Sequence, residues 1–296
     1  MKLWCEWDDF QAPNGIQVLG PTNHSLATNS LDSIDIYVPK YMGGADALQV
    51  IPRMTNLKIL QLPTAGYEEA LQYWRPGLTI CNAAGVHSTA TAELAVGLAI
   101  AAQRGFRQFA LDQEAGLWSH QRFPTLADSK VAIIGYGDIG RAIASRLMNF
   151  EVEVTAYSKS GRDGALPISD LDEELPNFDI VILIAPLTEE TKGLFGRERL
   201  TKMKDGALLI NVARGQLVDT DALLAELESG RLRAALDVTD PEPLPVNHAL
   251  WSAPSCIITP HIGGDTSAFE PRFKALLKSQ LQLVLAGQPL RNVVKC

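Results

Sequence analysis

Cysteine is scarce: four residues, Cys5, Cys81, Cys256 and Cys296, stand far apart with no CxxC or other metal-ligand spacing. That excludes a disulfide scaffold, leaves reduced structural thiols as the reading, and gives no reason to expect a metal. No apolar run approaches the ~20 residues that a membrane helix requires. The longest candidate, Leu94 to Ala102, is too short and follows Glu93. The N-terminal Met1 to Asp9 lacks the apolar stretch and small-residue cleavage site of a secretory signal. Positive charge is in deficit, with 26 Lys and Arg against 34 Asp and Glu and a net charge of −8, which argues against a broad nucleic-acid surface. Internal repeats and low-complexity tracts are absent. These gaps predict a cytoplasmic protein with neither membrane nor nucleic acid as partner.

The chain has enough apolar residues for a sizeable core. It is 46% hydrophobic and 20% charged over 296 residues, the range of one large or two ordinary globular domains. In the first third, Leu3 to Cys5, Ile34 to Val38, Lys58 to Leu62 and Leu78 to Cys81 read as strands, with helices at Ala45 to Met54 and Glu68 to Trp74. Ser88 to Arg104 is a strong helix signal that stops at Gly105. A second series of strands follows: Lys130 to Ile134, Glu153 to Tyr157, Ile180 to Ile184, Ala207 to Val212, Ala234 to Val238 and Cys256 to Thr259. Thr266 to Ala286 reads as a closing helix. Strand–helix alternation predicts an α/β fold with parallel sheets covered on both faces. The order favours a Rossmann doubly wound domain at 100–263, inserted into a substrate-binding domain made of 1–99 and 264–296. A single larger sheet is the alternative.

The apolar strand Val131 to Ile134 runs into Gly135-Tyr136-Gly137-Asp138-Ile139-Gly140, and a helix pattern follows. A bare GxGxxG is weak, but between a buried strand and a helix it is strong. Gly135 permits the tight turn, Gly137 lets backbone approach a pyrophosphate, and Gly140 allows close helix packing. The helix N-terminus supplies N–H groups to the phosphates. NAD sites usually carry an acidic residue at the end of the second strand. Here that strand ends in Ser158-Lys159-Ser160-Gly161-Arg162, two hydroxyls and two cations suited to a 2′-phosphate. NADP is therefore the preferred cofactor, with NAD as the other choice.

Three later segments lie just beyond predicted strand ends, where an open α/β sheet binds its ligand: Asn211 to Gly215, Leu236 to Pro245 and Thr259 to Gly264. Taken with Pro186 to Leu194 (PLTEETKGL) and Met203 to Asp219 (MKDGALLINVARGQLVD), they give a chain that closely resembles the D-isomer-specific 2-hydroxyacid dehydrogenase family. Glyoxylate/hydroxypyruvate reductases and phosphoglycerate dehydrogenases belong to it. The earlier Asn82 to Ser88 (NAAGVHS) also looks like the family's crossover into the long helix.

The resemblance implies a flavodoxin-like substrate domain and places the catalytic arginine, glutamate and histidine on Arg214, Glu242 and His261. Those roles are chemically sound. Arg214 can bind a keto acid's carboxylate with its planar fork and polarise the carbonyl. His261 can give the proton that the reduced oxygen needs, and Glu242 on its other ring nitrogen favours the imidazolium and fixes the ring. By the same resemblance Asp138, Ile139, Pro186, Val212, Asp237 and Gly264 contact the cofactor, and the backbone N–H groups at Ala65 and Gly66 meet the substrate. The chain departs from the family at Tyr67, which follows Gly66 where an acidic residue is usual nearby, and at Thr239, which replaces a commonly aromatic position. Trp118 and Trp251 are expected to pack in the core. A homodimer is expected, joined through the helix from Ser88. The implied activity is hydride transfer between NAD(P)H and a small 2-keto or 2-hydroxy acid such as glyoxylate or hydroxypyruvate. The alternatives are a nucleotide-sensing corepressor-like protein on the same fold, or a phosphoglycerate dehydrogenase core.

Overall fold

Every strand expected from the sequence forms, most with bounds that differ by a residue or two. In the computed structural model, which describes residues 1–27 and 29–296, the chain opens with β1 (Lys2–Trp4), β2 (Gln17–Leu19), β3 (Ile36–Tyr37), α1 (Gly44–Leu48), β4 (Ile59–Gln61) and β5 (Thr79–Cys81). Helices α2 (Ser88–Gln103) and α3 (Phe106–Glu114) come next, then β6 (Lys130–Ile134), α4 (Asp138–Leu147), β7 (Glu153–Ser158) and β8 (Leu166–Pro167). The series continues through α5 (Leu171–Glu174), β9 (Ile180–Leu183), α6 (Arg197–Lys202), β10 (Leu208–Asn211), α7 (Thr220–Glu228), β11 (Arg233–Leu236) and β12 (Cys256–Ile258). It ends with α8 (Phe269–Leu285) and β13 (Val293–Lys295).

Two expected helices differ. The segment Ala45 to Met54 is not one helix: α1 stops at Leu48 and a 3₁₀ turn, Ile51–Arg53, takes over. Pro52 explains the break, because it has no N–H and its ring would meet a carbonyl one turn earlier. The segment from Glu68 is a 3₁₀ helix, Glu68–Tyr73. Strands β2, β8 and β13 and helix α3 lie outside the sequence expectations.

The chain divides into two units, Met1–His87 with Ser267–Cys296, and Ser88–Thr266. The breaks fall at 87/88 and 266/267, not at the expected 99/100 and 263/264. Helix α2 accounts for the first difference. Its Ala92, Ala95, Val96, Leu98 and Ala99 are buried in one cluster with Val131, Ile133, Ile143 and Ile210, so the whole helix belongs to the second unit.

In the first unit the sheet order is β13-β5-β4-β3-β1-β2, parallel except for β13, which pairs antiparallel with β5. The five parallel strands have the flavodoxin-like order. Neighbouring residues alternate between its faces: Trp4 and Tyr37 pack in one cluster, and Leu3 and Ile36 in the other, with Phe269, Phe273 and Leu277 of α8. Gln280 on α8 is 4% exposed and links segments from opposite ends of the chain. Its amide donates to Gln61 Oε1 at 3.0 Å and to Arg291 O at 2.8 Å, and its oxygen accepts from Arg291 N at 2.9 Å.

The second unit holds a seven-stranded, wholly parallel sheet in the order β12-β11-β10-β9-β6-β7-β8. Its first strand, β6, lies inside the sheet, and the order reverses between β6 and β9. That is the Rossmann arrangement with one added edge strand. Buried runs such as those at 180–183 and 208–210 are apolar on both faces because helices cover both.

Neither questioned tryptophan is in a core. Trp118 is 98% exposed, and Trp251 is 47% exposed with its Nε1–H donating to Pro245 O. Trp251 closes the 3₁₀ turn Ala249–Trp251. Helix α2, the expected subunit contact, is largely buried in its own unit. Five exposed apolar side chains lie instead on α3 and the loop after it: Phe106, Phe109, Leu111, Leu117 and Trp118. Among the described residues no helix is long and apolar enough to cross a membrane.

Gln280→Ala should destabilise the first unit by about 2–4 kcal/mol, because it removes the partner of Gln61 Oε1 and of the Arg291 N–H and carbonyl together. Urea denaturation followed by near-UV circular dichroism measures the loss.

Candidate active site

The second unit builds its site from loops that leave the C-terminal ends of parallel strands. The loop after β6 starts at Gly135, which has φ +108°, and a Cβ there would lie 2.6 Å from the backbone of Ile184 and Ala185. A Cβ on Gly140 would lie 2.1 Å from Gly135 O, so both positions require glycine to fold the loop against β9 and seat α4. Gly137 is different: a Cβ on it would meet nothing within 4 Å. Its bare backbone faces open space and caps α4 without any side chain, leaving helix N–H groups for an anion. This chain therefore fits a dinucleotide pyrophosphate. Asp138 stands in the first turn of α4 with Arg141 paired to it at 3.0 Å, and Ile139 is part-buried against the core below.

Beside this loop, at the end of β7, Ser158 Oγ accepts the Gly161 N–H at 3.1 Å, which tightens the turn. Lys159, Ser160 and Arg162 are exposed. Lys159 lies 2.5 Å from Glu190 Oε2, a partner that was not apparent in the sequence. Pro186 is exposed in the loop after β9, and its carbonyl accepts from Thr191 Oγ1 at 2.7 Å. Val212 is 6% exposed at the end of β10.

Arg214 follows β10, and the buried Asn211 shapes its turn. The Asn211 amide donates to Arg214 O at 2.9 Å, and its oxygen accepts from Ala213 N at 3.1 Å. Arg214 itself donates to Ala213 O at 2.7 Å. Gly215 comes next, where a Cβ would lie 1.9 Å from Thr239 O. Only glycine there lets the Arg214 loop touch the loop that carries Glu242. Thr239 is 9% exposed, and its hydroxyl donates to Pro241 O at 2.9 Å. Glu242 stands between two prolines, and the peptide bonds Asp240–Pro241 and Glu242–Pro243 are cis.

His261 Nδ1 is 2.5 Å from Glu242 Oε1. The histidine has φ +55°, a left-handed conformation that costs a side-chain residue about 1–3 kcal/mol and is held by its surroundings. Those surroundings centre on Asp237. Its side chain is 3% exposed and bonded within the protein: Oδ1 accepts from Thr259 Oγ1 at 2.6 Å and Ile262 N at 2.9 Å, and Oδ2 accepts from Gly263 N at 2.9 Å. Its backbone carbonyl takes the His261 N–H at 2.8 Å. Gly264 lies at the end of this loop, in the same unit.

Partial burial pushes the Glu242 carboxyl up, but the His261 hydrogen bond and charge, the Thr239 backbone and the Arg214 guanidinium together hold it below the usual carboxylate range. Arg214, Glu242 and His261 thus stand in one electrostatic neighbourhood. Chemically they offer a guanidinium fork and, since Nδ1 is occupied, an imidazole Nε2 able to hold or move a proton. Ala65 and Gly66 are in the first unit. Their N–H groups have no backbone or side-chain acceptor among the described residues, while the carbonyl of Ala65 accepts from Asn82 Nδ2 at 2.7 Å and that of Gly66 from Thr64 Oγ1 at 2.7 Å. Tyr67 packs against the core of that unit.

A Rossmann sheet with a glycine-rich pyrophosphate loop and an arginine–glutamate–histidine set on the adjoining strand ends defines a nicotinamide-dinucleotide-dependent oxidoreductase. The chain belongs to the D-isomer specific 2-hydroxyacid dehydrogenase family, whose NAD binding domain matches residues 96–263. It is 34% identical over 255 residues to a glyoxylate reductase of Thermofilum pendens, covering 81% of this chain and 75% of that one. To a hydroxypyruvate reductase of Thermotoga maritima it is 32% identical over 232 residues, covering 75% and 76%. Among solved structures it is similar, with a TM-score of 0.80 and 26% identity, to a D-isomer specific 2-hydroxyacid dehydrogenase of Xanthobacter autotrophicus in complex with NADPH and MES. That match covers 100% of this chain and 98% of that one.

Sequence reasoning missed three organising residues: Asn211, Gly215 in its contact with Thr239, and Glu190. Only Asn211 carried a signal, as a polar side chain closing an apolar strand.

With its folded-state carboxyl below the unfolded value of about 4.3, Glu242 contributes stability above that pH and loses it as pH falls through the folded value. Wild type should therefore be more stable than Glu242→Gln at pH 6, with the gap closing on acidification below about pH 4. Paired thermal melts across that range measure it, and a gap that grows towards acid would contradict the ion pair.

Proposed function

We propose that the chain reduces a small 2-keto acid of the glyoxylate or hydroxypyruvate type to its D-2-hydroxy acid with NADPH, and runs the reverse oxidation. The observation that carries this reading is the grouping of Arg214, Glu242 and His261 on loops beyond β10, β11 and β12. When bound, the dinucleotide supplies the hydride that C2 of the keto acid receives. Gly135, Gly137, Asp138, Ile139 and Gly140 would hold its pyrophosphate. Ser158, Lys159, Ser160 and Arg162 would hold the 2′-phosphate, and Pro186, Val212 and Gly264 would line the remainder.

The chain's own residues then have separate tasks. Arg214 binds the substrate carboxylate and polarises the carbonyl, a task that needs a planar, permanently charged fork. His261 Nε2 gives its proton to the oxygen as negative charge develops there, while Glu242 on Nδ1 stabilises the imidazolium. In oxidation the neutral imidazole takes that proton back. In the first unit, the uncommitted N–H groups of Ala65 and Gly66 suit a carboxylate. A corepressor-like role would need none of this proton chemistry, which favours the enzyme reading.

Purified protein should oxidise NADPH with at least one member of a panel of small 2-keto acids. Arg214→Lys should lose at least about a hundredfold in kcat/KM, because one ammonium cannot replace the bidentate clamp. Silence across the panel with both NADPH and NADH, or near-normal kcat/KM in Arg214→Lys, would remove the reading.

We further propose a cytoplasmic homodimer. Buried free thiols at Cys5, Cys81 and Cys256 suit a reducing compartment. The apolar side chains of α3 and the loop at 117–118 form the surface that a second copy would cover. Light scattering coupled to gel filtration should give twice the chain mass for wild type, and a shift towards the monomer for Leu117→Ser with Trp118→Ser.

A further inference from the structure

The sheet order β9-β6-β7 sets the glycine loop after β6 between two neighbours. On one side is the end of β7, with Ser158 and Lys159. On the other is the loop after β9, which runs from Pro186 through Glu190. Packing of Gly135 against Ile184 and Ala185 confirms that this second loop leaves from the flank of the first. The two flanks are tied together by the ion pair of Lys159 Nζ and Glu190 Oε2 at 2.5 Å, on side chains 81% and 65% exposed. By contrast Arg162, three residues beyond Lys159, has no ion-pair partner among the described residues.

The strand end itself has no carboxylate, which is why it suits a 2′-phosphate. The fold nonetheless brings one there from a different strand. A carboxylate on Lys159 competes for the same ammonium that a 2′-phosphate would take, and the competition costs nothing to NADH, which has only hydroxyls at that place. We propose that Glu190 is a specificity-determining residue: by occupying Lys159 it weakens the preference for NADP, leaving Arg162 as the uncontested cation. The proposal rests on the reading of this loop pair as an NADP site. A merely structural tether between two loops would affect both cofactors alike, so the ratio of affinities separates the two accounts.

The test uses the full chain without substrate, titrated with NADPH and with NADH while nicotinamide fluorescence is followed. In Glu190→Gln the ratio Kd(NADPH)/Kd(NADH) should fall about 1.5- to fivefold at low salt, the range expected for freeing one exposed charge, and the fall should shrink as salt is raised. In a Lys159→Ala background the same substitution should have less than half that effect, because its target is gone. An unchanged ratio in Glu190→Gln, or an undiminished effect without Lys159, overturns the role given to Glu190 and leaves the site standing. Wild-type protein that binds neither dinucleotide overturns the site itself.

Discussion

The buried carboxylate of Asp237, bonded to Thr259, Ile262 and Gly263, is the interaction on which the site depends. It stands at the C-terminal end of β11 and draws in the loop that leaves the neighbouring strand, β12. A buried ion is costly unless its lone pairs are satisfied, and here one hydroxyl and two backbone N–H groups do so. The same bonds hold His261 in a left-handed conformation that the backbone would not otherwise keep. Once the backbone is fixed, the ring can face Glu242 from the adjoining loop. Asn211 works in the same way one strand over, folding the Arg214 turn through its amide. Gly215 joins the two loops, since no side chain fits between it and Thr239. Two buried polar residues and one missing Cβ thus set the relation of three functional groups.

A net charge of −8 sets a problem for a protein whose ligands are anions. The solution is local. Arg214, the free N-terminus of α4, and the basic residues after β7 all belong to the same edge of one sheet, the edge formed by the strands' carboxyl ends. On the proposed reading, anionic ligands would be held there by short-range geometry, while the remaining surface keeps its acidic excess. Glu242 is held below the usual carboxylate range despite its partial burial, chiefly by its hydrogen bond to His261, with the Thr239 backbone and Arg214 adding to it.

The strands, the doubly wound order and the glycine loop were legible in the sequence because each rests on a local signal, while the family phrases pointed to Arg214, Glu242 and His261. Apolar runs of four to six residues mark buried parallel strands, and a glycine motif between strand and helix marks the switch point. What escaped detection depends on contacts between distant segments. Helix α2 reads equally well as the end of one unit or the start of the next, and only its packing with Ile143 and Ile210 decides. Asp237 was legible as a functional acid, but its partners lie 22 to 26 residues away on another loop. Trp118 looked like core because tryptophan is highly buried on average; nothing local marks it as the fully exposed residue it is.

The two ends of the dinucleotide site are built from different physics, and this has a consequence for what can vary. The catalytic end is made of buried hydrogen bonds to backbone, which salt does not screen and which a single substitution would dismantle. The other end, at the close of β7 and in the loop after β9, is made of exposed charges, Lys159, Arg162 and Glu190, whose mutual energies are small and screened. Altering one of them changes a balance between counterions without disturbing a fold. On the proposed reading, cofactor preference would therefore be adjustable by single charges. The proposed hydride and proton chemistry would not be, because the positions of His261 and Arg214 are set by Asp237, Asn211 and the close approach at Gly215.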